Sequence, residues 1–355
     1  MNRKNSYDLL RIFACIGVIS IHVCAMFTGD ITSQEIFSDE NTGGLFLRCL
    51  FWTIGKFGVP CFVMISGAMV ISNDSNSDFS SFYKKSFVKL GKPALIVSLL
   101  YFMYTQLLSI FQYIQGNNVS VLLDPIKNWL KGCPYYQLWF IYMYVGVYLI
   151  APIIVRLRME LKEKTFTRIG VLFFILSVIC NQTSTHYFAW DLSLSFTFLG
   201  YFVLGYIIYN KIKKNNFIGI ASIIIGMSIL VIKSYDIYEL ALKGNGDNDL
   251  VSPTKAPYQI MIVFSAVLLF VGFSMVDTNV KYHKISKYTY YIYLIHAGAW
   301  RILSKLWMHF AGGNKSDSRI MIPISIILVF FISLFISMFM ESLFRKKSVS
   351  RRKEC

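Results

Sequence analysis

The 355-residue chain lacks most of what marks a soluble enzyme. Only 15% of it is charged, and acids are scarce: 19 Asp and Glu stand against 35 Lys and Arg. It has no HExxH, no CxxC pair and no Asp/Glu cluster with metal-ligand spacing, so no metal is expected. Walker A, GxGxxG and GxSxG are absent too, which argues against phosphate-loop and nucleophile-elbow chemistry. The seven cysteines are odd in number and scattered, mostly in apolar runs. There they act as small hydrophobes, not as a disulfide framework or a thiolate site. No internal repeat, low-complexity tract or soluble terminal domain stands out.

What is abundant is apolar. Hydrophobic residues make up 55% of the chain, mean hydropathy is +0.53, and 16% is aromatic, with 22 tyrosines. Runs near bilayer length recur. They predict an all-α, polytopic membrane bundle of about ten transmembrane helices, near 8–27, 45–71, 90–115, 137–157, 168–184, 193–210, 217–235, 258–276, 288–308 and 320–344. Lys and Arg collect in alternate loops (Lys84, Lys85, Lys89 and Lys92; Arg156 and Arg158; Lys211, Lys213 and Lys214) and in the tail. By the positive-inside rule both termini are cytoplasmic. The same rule and anionic headgroups account for the +16 net charge, so the partner expected is a lipid bilayer and not nucleic acid. Arg11 and His22 interrupt the first apolar run, so it reads as a retained helix and not a cleaved signal. The organisation expected is one transmembrane domain over 1–345 and a basic cytoplasmic tail over 346–355.

Ionisable residues at membrane depth default to function. Those picked out are Arg11, His22, Lys56, His296, Arg301 and Glu341, with Lys305 near a helix end. Arg11 and His22 are eleven residues apart, which returns to nearly the same helix face about 16 Å further along. Asp8, three residues before Arg11, is placed to pair with it. The plainer reading of Arg11 alone is snorkelling to headgroups, and of His22 alone a hydrogen-bonded interfacial histidine.

In "KFGVPCFVMISG", Lys56 precedes Pro60 by four residues, and Pro60 would loosen the helix there. Ser66 and Gly67 then permit close helix approach or a ligand contact. Lys85 and Lys89 belong to a four-lysine patch that positive-inside topology explains and that also suits phosphate. Trp139 opens an aromatic-rich helix, as interface belt or cavity wall. His296 lies mid-helix beside Tyr290 and Tyr293, where a satisfied bundle histidine is the ordinary expectation and its depth raises a functional one. The outer loops around Asp30–Thr42, Gly116–Tyr136 and Tyr235–Pro257 are further candidates, the first holding four acids and no Lys or Arg.

Taken in order, five segments resemble the acyltransferase-3 family of integral membrane acyltransferases, over essentially the whole chain. "YDLLRIFACIGVISIH" fits its Arg, ten residues, His motif at Arg11 and His22. "KFGVPCFVMISG" and "QLWFIYMYVGVYLIAPI" resemble its second and fourth helices, and "LGYFVLGYII" and "YYIYLIH" also have counterparts. The likeness is strongest to bacterial members that O-acetylate surface polysaccharides or their lipid-linked precursors. It implies ten helices in the bacterial plasma membrane, an acyl-CoA donor (acetyl-CoA first) from the cytoplasm, and a glycan acceptor from the membrane or outer side. It also implies His22 as the essential histidine. The family usually has arginines at the start of the third helix; here that stretch is lysine.

The function expected is therefore O-acetyl transfer from acetyl-CoA to a sugar hydroxyl. His22 would act as general base, or be briefly acylated itself. Lys56 or His296 would steady the oxyanion. Arg11 with Lys85 and Lys89 would hold the donor's phosphates, and Ser66, Gly67 and Trp139 would line the substrate path. A polysaccharide exporter or flippase without transfer activity is the alternative, although no inverted repeats with broken helices are seen. A ligand-sensing membrane module is a third reading, lowered by the lack of a fused domain.

Overall fold

A computed structural model describes residues 5–28, 42–131, 135–183, 192–242, 259–310 and 318–350. Among them every regular element is helical. In chain order these are α1 (Asn5–Thr28), α2 (Thr42–Gly55), α3 (Gly58–Ile71), α4 (Phe79–Ser86), α5 (Lys92–Ile114), α6 (Asp124–Leu130), α7 (Trp139–Glu160), α8 (Glu163–Thr183) and α9 (Leu192–Lys211). They continue with α10 (Asn216–Leu242), α11 (Ile260–Met275), α12 (His283–Ser286), α13 (Thr289–Phe310) and α14 (Ser318–Ser350).

Each of the ten apolar stretches expected from sequence falls on helix, the second of them on the α2–α3 pair. Among the described residues six helical spans are long and apolar enough to cross a bilayer: Asn5–Cys24, Gly44–Ile71, Phe79–Ile114, Tyr136–Glu160, Asn216–Leu240 and Ile320–Glu341. The helix α11 is apolar but shorter. Two further helices carry polar residues. α8 opens on Glu163, Lys164 and Arg168, and α13 carries His296, Arg301 and Lys305. The acidic stretch expected as an outer loop around Asp30–Thr42 lies outside the described residues as far as Asn41, as do 184–191, 243–258 and the basic end of the tail.

Large apolar side chains stand outward along the long helices: Leu99 and Leu107 on α5, Ile224 on α10, Phe331 and Phe335 on α14. In water such faces would aggregate; in lipid they are the solvated surface.

The chain divides into two compact units, 1–62 with 212–355, and 63–211. The first has a core of Cys15, Ile19 and Val23 from α1, Cys49 and Trp52 from α2, Ile237 from α10, Ile292 and Trp300 from α13, and Ile322 and Val329 from α14. The cysteines Cys15, Cys24, Cys49 and Cys61 are buried and free, as small hydrophobes would be. α1 and α2 approach backbone to backbone. A Cβ on Gly17 would stand 3.3 Å from the Gly55 carbonyl oxygen, and one on Gly55 would meet Gly17. Ser20 Oγ donates to the Gly17 carbonyl at 2.7 Å and to the Phe51 carbonyl across the contact at 2.9 Å. Small residues allow this approach where lipid gives helices no hydrophobic drive to associate.

The second unit uses the same device between α3 and α9: a Cβ on Gly67 would run into the Phe202 carbonyl, and one on Gly205 into Met64. Its polar contacts are tyrosine hydroxyls and loop caps. Tyr144 bonds Ser66, and Tyr83 Oη donates to the Leu149 carbonyl at 2.7 Å. Arg158 donates to the Ile71 carbonyl at the end of α3 at 2.9 Å and pairs with Asp74. This satisfies carbonyls that a helix end leaves bare.

Candidate active site

Four of the residues expected to carry chemistry, Arg11, His22, Lys56 and His296, belong to the first unit. Lys85, Lys89, Ser66, Gly67 and Trp139 belong to the second.

In the first unit the structure brings His22 and His296 together. The rings of His22 on α1 and His296 on α13 have centroids 5.1 Å apart, tilted by 35°. His296 is fully buried, and its Nδ1 lies 2.6 Å from the Tyr293 carbonyl, one turn back on α13. A carbonyl only accepts, so Nδ1 carries the hydrogen and Nε2 is left as an acceptor. That Nε2 has no hydrogen-bond partner among the described residues. The Tyr293 ring packs 5.6 Å from the imidazole and helps fix its orientation.

Lys56 stands where the helix breaks. α2 ends at Gly55 and α3 begins at Gly58; the Lys56 N–H turns back to the Thr53 carbonyl at 3.1 Å. Pro60 explains the break, because it has no N–H to give to the Lys56 carbonyl four residues earlier. The Lys56 side chain is 5% exposed and its Nζ sits 3.3 Å from the centre of the Trp52 ring. Cation–π attraction offsets part of the cost of a buried ammonium. Neither Nζ nor the buried Thr53 Oγ1 has a hydrogen-bond partner among the described residues.

Arg11 lies three turns before His22 on the same helix. Its guanidinium reaches Asp8 at 3.4 Å, as the spacing predicts. Asp8 is itself buried and accepts from Ser286 Oγ of α12 at 2.8 Å. Tyr7 is fixed beside it: its hydroxyl is 2.8 Å from Ser274 Oγ, and its ring stacks on Phe270. The foot of α1 is thus locked to α11 and α12, which orients Arg11.

Sequence reasoning missed two residues. Arg48 on α2 and Lys233 on α10 both lie inside expected spans, and both are largely buried, Arg48 at 8% exposure and the Lys233 side chain at 12%. Their charged types within runs 45–71 and 217–235 were the signal. Lys233 reaches Asp236 at 3.9 Å and lies within electrostatic range of Lys56. Arg48 acts in the same way on Cys24 and Cys49.

In the second unit the lysines Lys84, Lys85, Lys89 and Lys92 are all exposed. Lys84, Lys85 and Lys92 flank, and Lys89 lies on, a π-helical turn, Phe87–Gly91, that joins α4 to α5. Such a turn adds a residue to the helix and is frequent at functional sites. Gly67 packs on α9, Ser66 is bonded to Tyr144, and the Trp139 ring meets Phe198 at 6.2 Å and Phe140 at 6.3 Å. Glu341 pairs with Lys287 at 2.8 Å. Among the described residues no group of His, Cys, Asp and Glu could hold a metal ion.

The paired imidazoles can take up a proton, which is what transfer between a thioester and a hydroxyl requires. No curated protein and no solved structure matches the chain. A family model described as an acyltransferase domain matches residues 4–341, from the foot of α1 to Glu341, so it takes in both histidines, Lys56 and the lysine segment. With a match over nearly its whole length, this multi-pass membrane chain belongs to the acyltransferase-3 family.

Proposed function

We propose that the protein is a ten-span O-acyltransferase of the bacterial plasma membrane with both termini cytoplasmic. It moves an acetyl group from cytoplasmic acetyl-CoA to a sugar hydroxyl of a surface polysaccharide or its lipid-linked precursor. The observation that carries this reading is the ring contact between His22 and the buried His296, within a chain that matches an acyltransferase domain.

In a direct transfer, neutral His22 takes the proton of the acceptor hydroxyl as its oxygen bonds to the thioester carbon. The carbonyl electrons move to oxygen, where the Lys56 ammonium stabilises them. Collapse breaks the C–S bond, and the coenzyme A thiolate leaves with the proton from His22. Arg11 in the first unit, and Lys85 and Lys89 in the second, are each taken as groups suited to a donor phosphate, lysine as a point charge. Ser66 and Trp139 offer a hydroxyl and an aromatic face to the substrates.

The test is mass spectrometry of surface glycans from the parent strain, a deletion strain, and a strain carrying His22→Ala at equal protein level. Loss of one acetyl mass per modified residue is expected in both altered strains. Full acetylation in the His22→Ala strain would sink the role of His22, and an unchanged glycan in the deletion strain would sink the activity.

A further inference from the structure

The two histidines differ in what reaches them. The His22 residue is partly exposed, whereas His296 is 0% exposed. A substrate can therefore touch His22 and is kept from His296, although the two ring centroids are only 5.1 Å apart.

The hydrogen of His296 is already committed. Nδ1 gives it to the Tyr293 carbonyl at 2.6 Å, and the Tyr293 ring packs on the imidazole. Nε2 then offers a lone pair and no hydrogen, which suits an N–H donor and not an oxyanion. It is buried and has no hydrogen-bond partner among the described residues. A buried acceptor is costly to leave unmade. Ring nitrogens stand about 1 Å out from the ring centre, so two imidazoles at this separation are one hydrogen bond apart once a nitrogen of each faces the other.

We infer that His296 is the positioning residue for His22: its Nε2 accepts the N–H of neutral His22 and leaves the other His22 nitrogen, with its lone pair, to the sugar hydroxyl. This rests on the acyl-transfer reading above. In the reaction the hydroxyl proton moves to that second nitrogen while its oxygen bonds to the thioester carbon. His22 is then an imidazolium, and its bond to Nε2 becomes charge-assisted, about twice as strong as the neutral one. The proton goes from His22 to the departing thiolate, so both rings end as they began. In serine proteases a buried carboxylate does this for the catalytic histidine. At membrane depth a carboxylate would bring a costly charge. A neutral imidazole anchored on a backbone carbonyl fixes its partner ring without one.

Two variants of similar size separate the two nitrogens of His296. In His296→Gln the amide reaches the place of Nε2, where its oxygen can accept. The shorter His296→Asn reaches only the place of Nδ1 and keeps the bond to Tyr293. Purified protein is assayed with acetyl-CoA and with surface polysaccharide from the deletion strain, and each variant is melted in detergent. His296→Asn should lower kcat about 10²-fold. Its acetyl-CoA KM should change less than about three-fold, and His296→Gln should recover about ten-fold of the lost rate or more. In a His22→Ala background His296→Asn should lower the residual rate no further, because His296 acts through His22. The reverse order, with Asn active and Gln not, would assign His296 to its Tyr293 bond and overturn the inference. Equal activities of the two variants would overturn it too, as would a further loss in the His22→Ala background or a variant too unstable to melt cooperatively. A parent protein that moves no acetyl would overturn the acyl-transfer reading itself; an active parent with equal variants overturns only the role of His296.

Discussion

The two units handle charge in opposite ways. The first buries it: Arg48, Lys56, Asp8 and His296 are all at or below 8% exposure. The second keeps the four lysines of the α4–α5 segment in the open and meets interior polar needs with tyrosine and serine hydroxyls. An exposed lysine costs the fold almost nothing, so its presence alone says little about function. A buried ammonium must be compensated, and where the fold leaves its hydrogen bonds unmade, the residue is kept for something other than stability.

That contrast can be tested from its strongest side downward. Lys56→Met removes the buried cation and keeps an apolar stem. If Lys56 stabilises the oxyanion, kcat for acetyl transfer by the purified protein falls about 10²–10³-fold with acetyl-CoA KM little changed. Thermal stability in detergent should hold or rise, because a buried charge has gone. A large loss of stability with kcat intact would reverse the assignment.

Gly67→Ala sharpens the comparison on packing. Its methyl group meets the Phe202 carbonyl, and backbone cannot give way, so destabilisation of about 1–3 kcal/mol or more is expected. Gly17→Ala, at 3.3 Å, should cost less by the same thermal melt. Equal losses would mean that the α3–α9 contact is looser than drawn. The lysines should respond weakly. Lys85→Gln with Lys89→Gln should raise acetyl-CoA KM only a few-fold, and the rise should shrink with salt, since these charges are exposed and screened.

The smallest effect concerns Lys287, outside the spans. Its bonds to Glu341 and Tyr288 hold it above the ordinary lysine value. A raised lysine adds stability that is full below its unfolded pKa and is lost as pH climbs through the folded one. Melts of Lys287→Gln and the parent should therefore differ by less than about 1 kcal/mol at neutral pH and converge in strong alkali.

The helices were legible in the sequence because hydrocarbon demands long apolar runs with every backbone group paired internally. Arg11 with Asp8, and the break ahead of Pro60, could be read from spacing alone. Two kinds of feature could not. His22 and His296 are 274 positions apart, and only packing brings their rings together. Arg48 and Lys233 passed unnoticed because one charge among many apolar residues barely lowers a run's hydropathy, and its burial depends on which helix covers it. Likewise Ser66-Gly67 reads equally as a ligand contact or a helix contact. The position of the Phe202 backbone shows that Gly67 makes the second.

The bond from His296 to the Tyr293 carbonyl has a spectroscopic consequence. Free neutral histidine in water favours the form with its hydrogen on Nε2. The 2.6 Å contact demands the other form. Nitrogen-15 labelled protein should therefore show an imidazole locked as the minority tautomer, a signal of His296 that needs no substrate and reports directly when an acceptor or donor disturbs its ring.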